Sequence, residues 1–570
     1  MGSDSERNYL VVAAIDFGTT YSGFAYSFRN DPLKINSPGV WYTGDSNLAS
    51  YRTPTCLLLN PDRTFHSFGF KAENKYAELC TDETHHEFYY FEKFKMELYN
   101  KPVRRDTVLQ DVSTRNVPAL LVFSMSLRYL KDALVSTLTE RGTGVDMDDI
   151  KFVLTIPAIW TDSAKQFMRE ASVMAGIPSD QLMLALEPEA ASVYCLKVTA
   201  ENMPCGEGSN IKTPGHQYLV ADLGGGTADF GVHEVNEDGN LTELYSASGG
   251  PYGGDCVNVE FLEMLEVLFG KEAIENLKNN DLEEYLITCR GFENKKRIVS
   301  DEYCENFRLK LPAVLLENCD FETLNNKIGS FYGKELVSSQ KGKLKISPSL
   351  MKTFFNKSIG KIKEHMLNVI KLNSKVKSVL LVGGYGGSNL LQSELKRTFP
   401  EKTIIMPQDS DLTVVKGAVL FGYYPVTISC RKMRFSYGVE GYAPFEKGKH
   451  PEGRKITNEF GEERCEGAFD LLIAKNTTVP TTGLNISRTY CAATSKQNFQ
   501  YVDIYYTEEE EPVIVDGKCT FMKRILIPLS KYCGWERAVV HDFTFGMTEL
   551  KHQAMILETG ECVSNTFDLL

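Results

Sequence analysis

A strand–turn–strand pattern that occurs twice in the chain limits its fold more than any other feature. Residues 9–28 form an apolar run, the turn Asp-Phe-Gly-Thr-Thr and a second apolar run. Residues 217–235 repeat this order around Asp-Leu-Gly-Gly-Gly-Thr-Ala-Asp. The copies lie about 200 residues apart, whereas the repeats of a solenoid recur every roughly 20–50 residues. The duplication therefore predicts two similar lobes, and strands that alternate with helices predict an α/β sheet in each.

Both turns carry the residue types that bind phosphate. Glycine lets backbone N–H groups approach phosphate oxygens with no Cβ in the way, and a strand-end aspartate such as Asp16 or Asp222 can hold a hydrated Mg²⁺. One such loop is a weak signal, because glycine-rich turns also simply join strands. Two in one chain predict a clamp on the phosphates of a nucleotide. A third glycine turn, at residues 383–387, is placed for the nucleoside.

The length, net charge and cysteine content of the chain limit its domain organisation, its possible partners and its location. A chain of 570 residues is longer than a single hydrophobic core accommodates, so two or more domains are expected. A net charge of -13 argues against a nucleic-acid partner, because such proteins carry a basic stripe. Fourteen cysteines without a C-x-x-C pair favour a reduced compartment, and we expect a cytoplasmic protein. No apolar run approaches the roughly 18 residues that a membrane span requires.

Three segments are expected along the chain. Residues 1–8 are predicted to be a disordered terminus, and residues 9–428 an α/β nucleotide-binding domain. Within that domain one long helix is predicted at about residues 349–372, with Phe355 on its apolar face. Period-2 stretches and turn signals predict a mainly β domain at residues 429–570.

Five motifs resemble those of the 70-kDa heat-shock protein family, in the family's order. They are two phosphate turns, a connecting segment between them, an adenosine helix and an adenosine loop, at residues 15–22, 222–229, 152–196, 293–297 and 381–384. The resemblance covers about residues 9–425. It implies a two-lobed actin-like ATPase fold with duplicated ribonuclease-H-like lobes, which binds ATP or ADP with Mg²⁺. Residues 91–96 and the atypical C-terminal part are similar to the divergent subfamily of heat shock 70 kDa proteins 12A and 12B.

The resemblance implies a catalytic role for five residues of this chain. Asp16 and Asp222 would hold Mg²⁺ through water. Glu187 and Asp229 would order the attacking water and the metal shell, and Lys95 would lie beside the γ-phosphate. With these parts, catalysis consists mostly of positioning and charge neutralisation, and no covalent intermediate is needed.

The resemblance also implies the residues that contact the nucleotide. Lys93 is an alternative to Lys95 for the γ-phosphate, because the register of the motif allows both. The other contacts are Gly18, Thr19, Thr20, Tyr21, Gly224, Gly225, Gly226, Thr227, Gly253, Gly254, Glu293, Lys296, Arg297, Ser300, Gly383, Gly384, Tyr385 and Asp411.

The chain departs from the family pattern at several positions. Tyr385 and Gly387 stand where typical members place a serine and an arginine, so the arginine that stacks on adenine is missing. Arg297 and Tyr385 are candidates to cover the two faces of the base instead. Lys165 replaces the arginine of the family's relay between domains, and a lysine lacks the planar fork of arginine. Residues 424–429 replace the leucine- and aspartate-rich linker, and the chain lacks the family's long helical lid.

Three functions are compatible with this sequence. The first is a chaperone-like, weak Mg²⁺-dependent ATPase whose nucleotide state controls binding of a protein client or signalling partner by the C-terminal domain. The second is a nucleotide-gated scaffold or signalling adaptor with little or no hydrolysis, since differential binding alone shifts a conformational equilibrium. The third is a small-molecule kinase, because sugar kinases share the fold, although no carboxylate base can be placed for a substrate hydroxyl. The identity of the partner and the oligomeric state stay open.

Overall fold

The computed structural model of the protein describes most of the chain. Residues 1–7 of the predicted disordered terminus lie outside the described ranges. The described residues are 8–38, 41–42, 49–101, 103–198, 210–317, 319–340, 342–458, 461–491, 497–529 and 537–566.

The first third of the chain mixes short strands with four helices in the described ranges. The strands are β1 (Val11–Phe17), β2 (Tyr21–Phe28), β3 (Asp31–Asn36), β4 (Trp41–Tyr42), β5 (Ala49–Ser50), β6 (Thr53–Pro54), β7 (Cys56–Leu59), β8 (Phe65–Phe68), β9 (Tyr89–Glu92), β10 (Val108–Gln110), β11 (Asn116–Pro118), β12 (Ile150–Ile156) and β13 (Leu182–Leu186). The helices are α1 (Phe70–Thr81), α2 (Ala119–Glu140), α3 (Asp162–Met174) and α4 (Glu187–Lys197).

The middle of the chain is rich in helix, and the last part is made of strands. The middle strands are β14 (Gln217–Leu223), β15 (Ala228–Val235), β16 (Leu241–Gly250), β17 (Phe307–Lys310), β18 (Val337–Gln340), β19 (Lys343–Ile346), β20 (Ser378–Val382) and β21 (Thr403–Ile405). The helices are α5 (Asp255–Phe269), α6 (Lys271–Asn280), α7 (Leu282–Arg297), α8 (Ala313–Glu317), α9 (Phe321–Phe331), α10 (Pro348–Thr353), α11 (Asn356–Leu372), α12 (Asn389–Thr398) and α13 (Thr413–Tyr423). The last strands are β22 (Ile428–Lys432), β23 (Ser436–Pro444), β24 (Lys455–Thr457), β25 (Glu463–Ile473), β26 (Thr478–Pro480), β27 (Leu484–Cys491), β28 (Phe499–Thr507), β29 (Thr520–Pro528), β30 (Ala538–Phe545), β31 (Lys551–Ile556) and β32 (Cys562–Thr566).

The chain divides into two compact units. The first contains the described residues of Met1–Trp160, Phe167–Phe230 and Ser248–Pro425. The second contains those of Thr161–Gln166, Gly231–Ala247 and Val426–Leu570. None of the helices in the described ranges combines the length and the apolar character that a membrane-spanning helix requires.

Two sheets of the first unit share one strand order. The first sheet runs β13-β12-β1-β2-β3, with β6 paired to β2. The second runs β21-β20-β14-β15, of which β15 contributes residues 228–230 to this unit. Strands β13, β12 and β1 are parallel, as are β21, β20 and β14. The duplicated segments of the sequence therefore occupy equivalent positions in the two sheets.

The central strands explain why an aspartate follows each apolar run. Strands β1 and β14 are buried along their whole length, and a strand covered on both faces needs a nearly continuous run of apolar residues. Asp16 and Asp222 occupy the last position but one of these strands. Both carboxylates consequently lie at the carboxyl end of a sheet, where the chain turns.

The single helix predicted at residues 349–372 is wrong, because the structure has two helices, α10 and α11, with a break between them. Phe354 and Phe355 lie at this break and are both buried. Consecutive residues of a continuous helix do not share a face. The break lets both neighbouring aromatic rings enter the core.

The second unit contains two antiparallel sheets, with the strand orders β24-β25-β23-β28-β29 and β27-β30-β31-β32. In addition, β16 pairs in parallel with β22, which pairs antiparallel with β26. Along β30 every second side chain is buried, so one face packs into the apolar cluster that includes Val502, Ile527 and Phe543. At the start of α3, Asp162 accepts a hydrogen bond from the Tyr437 hydroxyl at 3.0 Å and pairs with Lys165 at 3.1 Å.

Helices α4 and α13 approach each other so closely that only glycine fits at one contact. A Cβ on Gly417 would lie 1.8 Å from the carbonyl oxygen of Ala190. We expect Gly417→Ala to force these helices apart and to lower the free energy of unfolding by about 3 kcal/mol, near the upper end for an overpacked core. Thermal unfolding of the purified variant measures this loss.

The control for this substitution is Gly360→Ala in α11. A Cβ at Gly360 meets no atom within 4 Å, and alanine favours an exposed helix by up to about 1 kcal/mol over glycine. We expect Gly360→Ala to be neutral or stabilising. A Gly417→Ala protein as stable as the wild type would contradict the close helix contact.

Candidate functional site

The first glycine turn places Asp16 in a hydrogen-bonded pocket. The Thr155 hydroxyl on the neighbouring strand β12 donates to Asp16 Oδ1 at 2.9 Å. The Arg52 guanidinium forms an ion pair with the other carboxylate oxygen, Oδ2. Both oxygens of this buried aspartate are therefore engaged.

The second turn approaches the first one so closely that side chains larger than glycine would collide. A Cβ on Gly225 would lie 2.0 Å from Thr20 Oγ1, and a Cβ on Gly226 would lie 2.7 Å from Thr19 Oγ1. The hydroxyl of Thr20 is buried and has no hydrogen-bond partner among the described residues. The two turns together thus form a narrow cradle of backbone groups and threonine hydroxyls.

The third glycine turn lies against the second one. Gly383 has a φ of +82°, a left-handed conformation that favours glycine, and a Cβ there would lie 2.6 Å from Asp222 Oδ1. The backbone N–H of Tyr385 donates to the Leu223 carbonyl at 2.9 Å. The Tyr385 ring faces that of Phe355 with the ring centres 6.4 Å apart and the ring planes inclined by 26°.

These turns surround a cavity of about 370 Å³. Most residues that the sequence predicted for the site line it. They are Asp16, Gly18, Thr19, Thr20, Tyr21, Lys95, Glu187, Asp222, Gly224, Gly225, Gly226, Thr227, Gly254, Glu293, Lys296, Arg297, Gly383, Gly384, Tyr385 and Asp411.

Three other predicted residues do not line the cavity. Asp229 lies behind the second turn and accepts a hydrogen bond from the Thr227 hydroxyl at 3.0 Å. Gly253 donates from its backbone N–H to the Gly226 carbonyl at 3.2 Å. Ser300 follows the end of α7. Asp229 and Gly253 accordingly support the second turn from outside the lining.

The two candidate lysines have different surroundings. The Lys95 ammonium donates to Glu187 Oε1 at 3.0 Å, lies 5.3 Å from the centre of the Trp160 ring, and has a side chain only 4% exposed. Lys93 is half exposed and pairs with Asp255 at 2.8 Å. Of these two lysines, Lys95 lines the cavity and Lys93 does not.

Negative charge accumulates around Asp222. Burial raises the pKa of the Asp222 carboxyl well above its usual range, and the nearby Glu187, Asp229 and Asp16 raise it further. Burial also raises the pKa of Glu187, against the opposing effect of Lys95. Uncompensated carboxylates in a buried place favour the arrival of a cation.

The donor set suits a hydrated divalent cation better than a directly ligated one. In the described parts of the chain, no group of three or more histidine, cysteine, aspartate or glutamate side chains converges as ligands of one metal ion. Mg²⁺ usually keeps several waters and binds one or two carboxylates together with phosphates. Asp16 and Asp222, with the cradle of glycines and threonines beside them, fit that mode.

A network of charged side chains closes the side of the cavity formed by α7. Lys296 pairs with Glu293 at 2.5 Å and donates to the Gly254 carbonyl at 3.2 Å. Arg297 lies 3.3 Å from Glu293, and its side chain is 63% exposed. Burial would raise the pKa of Glu293, but Lys296 and Arg297 outweigh that effect and lower it.

The chain is similar to known proteins over nearly its whole length. The family model described as Hsp70 protein matches residues 59–424. Heat shock 70 kDa protein 12A of Mus musculus is 33% identical over 99% of this chain and 92% of its own length, and the Homo sapiens protein of that name is 32% identical with the same coverage. Heat shock 70 kDa protein 12B of Homo sapiens is 31% identical, again over 99% and 92%. The chain belongs to the Hsp70 family.

Sequence reasoning missed part of the cavity of this Hsp70 protein. Asp255 and Asn258 could have been predicted, because α5 begins directly after Gly254, one of the predicted nucleotide contacts. Arg52 carries no such signal, since it lies in an irregular segment between two short strands. The lining residues that were not predicted are Ser50, Arg52, Asp255, Asn258, Phe355, Ser388, Ser410 and Val414.

Asp222 is expected to reduce the stability of the ligand-free Hsp70 chain. A carboxyl with a raised pKa binds more protons in the folded state, so the free energy of unfolding falls as the pH rises past the unfolded-state pKa. Asp222→Asn removes the buried charge and keeps a neutral polar side chain of the same size. We expect it to raise the free energy of unfolding at neutral pH by about 1–3 kcal/mol, because a buried charge costs more than a buried neutral polar group. The gain should shrink towards about pH 4, near the pKa of a free aspartate. Thermal unfolding at several pH values, without nucleotide or metal, measures it.

Asp238→Asn is the matched control for this prediction. The exposed Asp238 carboxyl accepts hydrogen bonds from Asn240, which lower its pKa. Its replacement should bring no gain in stability at any pH. An Asp222→Asn protein that is less stable than the wild type at neutral pH would show that the carboxylate is compensated.

Proposed function

We propose that this Hsp70 protein binds ATP and ADP with Mg²⁺ in the 370 Å³ cavity and hydrolyses ATP slowly. The observation that carries the proposal is that the first two glycine turns, at residues 16–20 and 222–227, line one cavity together with Glu187 and Lys95. Backbone amides and hydroxyls of the cradle suit phosphate oxygens. Asp16 and Asp222 suit the water shell of a metal.

In the proposed reaction the chain positions groups and supplies charge. Bound Mg²⁺ would neutralise charge on the phosphate oxygens. Thr19, Thr20 and Tyr21 would hold the terminal phosphates, and Glu187 would orient the attacking water. Lys95, fixed by Glu187 at 3.0 Å, would bring its positive charge to the γ-phosphate.

We further propose that the two sheets of equal strand order are the cores of two lobes, which close on the nucleotide. The nucleotide-binding domain would comprise residues 9–428, and residues 429–570 would form a partner-binding domain. Free cysteines among the described residues, including the exposed Cys304 and Cys491, favour a cytoplasmic location.

An exposed apolar surface of the second unit supports the proposal that this unit binds a protein partner. On β28 and β29, Tyr501 lies opposite Leu526 and Phe499 opposite Pro528. Tyr501 and Phe521 are each more than half exposed. Exposed aromatic groups of this kind are typical of binding surfaces. Control of such binding by the nucleotide would make the protein a chaperone-like ATPase.

A nucleotide-gated scaffold with little hydrolysis is the second candidate. The observation that favours it is the buried pair of Lys95 and Glu187. Within this pair the two charges neutralise each other, which weakens the attraction of Lys95 for a phosphate and the basicity of Glu187 towards a water. The family arginine that stacks on adenine is also replaced, at the position of Gly387.

Single-turnover hydrolysis of labelled ATP distinguishes these two functions. With enzyme in excess and Mg²⁺ present, we expect the wild type to bind and hydrolyse ATP. Glu187→Gln should keep nucleotide binding and slow hydrolysis by at least about 100-fold, the usual loss of an acid–base group. Asp222→Asn should lose the Mg²⁺-dependent part of binding, because its carboxylate holds the metal shell.

The control is Asp238→Asn, whose exposed carboxyl does not line the cavity. It should bind and hydrolyse ATP like the wild type. Tight binding without turnover in the wild type would favour the scaffold. Failure of the wild type to bind either nucleotide would refute both functions.

A further inference from the structure

Arg52 lies across the first turn and connects two sides of the cavity. Its guanidinium forms the ion pair with Asp16 and donates from Nη2 to the Tyr21 carbonyl at 2.9 Å. From Nη1 it donates to the carbonyl of Asp411 at 3.2 Å. The side chain is 18% exposed and lines the cavity. A cation thus already contacts the carboxylate on which the proposed metal site depends.

The contacts of Arg52 differ from those of an arginine in a purely structural ion pair. Arg115 also pairs with a buried aspartate, Asp111, at 2.5 Å, and like Arg52 it donates to backbone carbonyls from both terminal nitrogens. Its Nε, however, also donates to the carboxylate, at 3.0 Å. The Nε of Arg52 is buried without a hydrogen-bond acceptor among the described residues. An unused buried donor is unfavourable. The unpaired Nε–H therefore favours a rearrangement of the Arg52 side chain when an anion enters the cavity.

The charges that line the cavity also favour a rearrangement of Arg52 when an anion binds. Lys95 is engaged by Glu187 and Arg52 by Asp16. A nucleotide adds several negative charges, which need new counter-charge from a metal ion or from a cation released by its carboxylate. A guanidinium presents a planar fork that matches phosphate oxygens. It also repels a divalent cation that approaches the same carboxylate.

The geometry points to Arg52 as an internal counter-ion that competes with Mg²⁺ for Asp16 and so sets the metal dependence of the cavity. This inference rests on the proposed function for its nucleotide part alone. Without metal, Arg52 holds Asp16 and supplies positive charge to an incoming phosphate. With Mg²⁺, the metal shell takes over Asp16. Towards the metal, Arg52 is therefore a positioning residue that acts through Asp16.

Affinity for a fluorescent ADP analogue, measured in chelator and in excess Mg²⁺, tests this role. We expect Arg52→Gln to weaken metal-free binding by about 10-fold or more and binding with Mg²⁺ by less than about threefold. Arg52→Lys should restore part of the metal-free affinity, because it keeps the charge without the fork. Arg115→Gln, the matched control, should leave the ratio of the two affinities unchanged.

A second measurement does not require nucleotide. In a thermal-shift titration with Mg²⁺ alone, Arg52→Gln should respond at a concentration about 10-fold lower than the wild type, because Asp16 is no longer paired. Equal loss of both nucleotide affinities, or an unchanged Mg²⁺ midpoint, overturns the role of Arg52. If the wild type binds no nucleotide, the proposed function fails, and the Mg²⁺ midpoint alone decides the inference. Unfolding curves verify that each variant is folded.

Discussion

Carboxylates crowded at the ends of buried strands are the constraint on which this site depends. Asp16 and Asp222 reach the cavity because each lies at the end of a strand that is buried along its whole length. Glu187 and Asp229 lie close enough to raise the pKa of Asp222. Such a cluster opposes folding unless cations compensate it, and a buried charge without a partner is costly. Burial of the apolar strands offsets the free energy that the carboxylate cluster costs.

Close backbone approach is the second requirement, and glycine meets it at several points. The first two glycine turns lie close together at Gly225 and Thr20, and the third turn approaches Asp222 through Gly383. The close contact between Gly417 and Ala190 affects the cavity indirectly. It fixes the position of α4, the helix that begins with Glu187. Glycine content around the cavity thus reflects distances between backbone segments as well as flexibility.

The sequence predicted the parts of the site that are repeated or local. Both turns, their aspartates and the strands that carry them follow from apolar runs and glycine spacing, and these turns line one cavity. The helix break at Phe355 was missed, because helical spacing of apolar residues continues across it and only tertiary packing favours two buried neighbouring rings. Arg52 was missed for another reason. Its partners Asp16 and Asp411 are distant in sequence, and no local pattern marks such a contact.

The two turns are near copies in sequence but unequal in charge compensation. In the first sheet, Asp16 lies in register with Thr155, whose hydroxyl donates to it. In the second sheet, Val382 occupies the equivalent place beside Asp222, and its side chain can donate nothing. Arg52 adds a full positive charge on the side of Asp16. The chain therefore compensates the negative charge of one half of the duplicated site through Thr155 and Arg52, whereas burial and the neighbouring carboxylates raise the pKa of Asp222 in the other half.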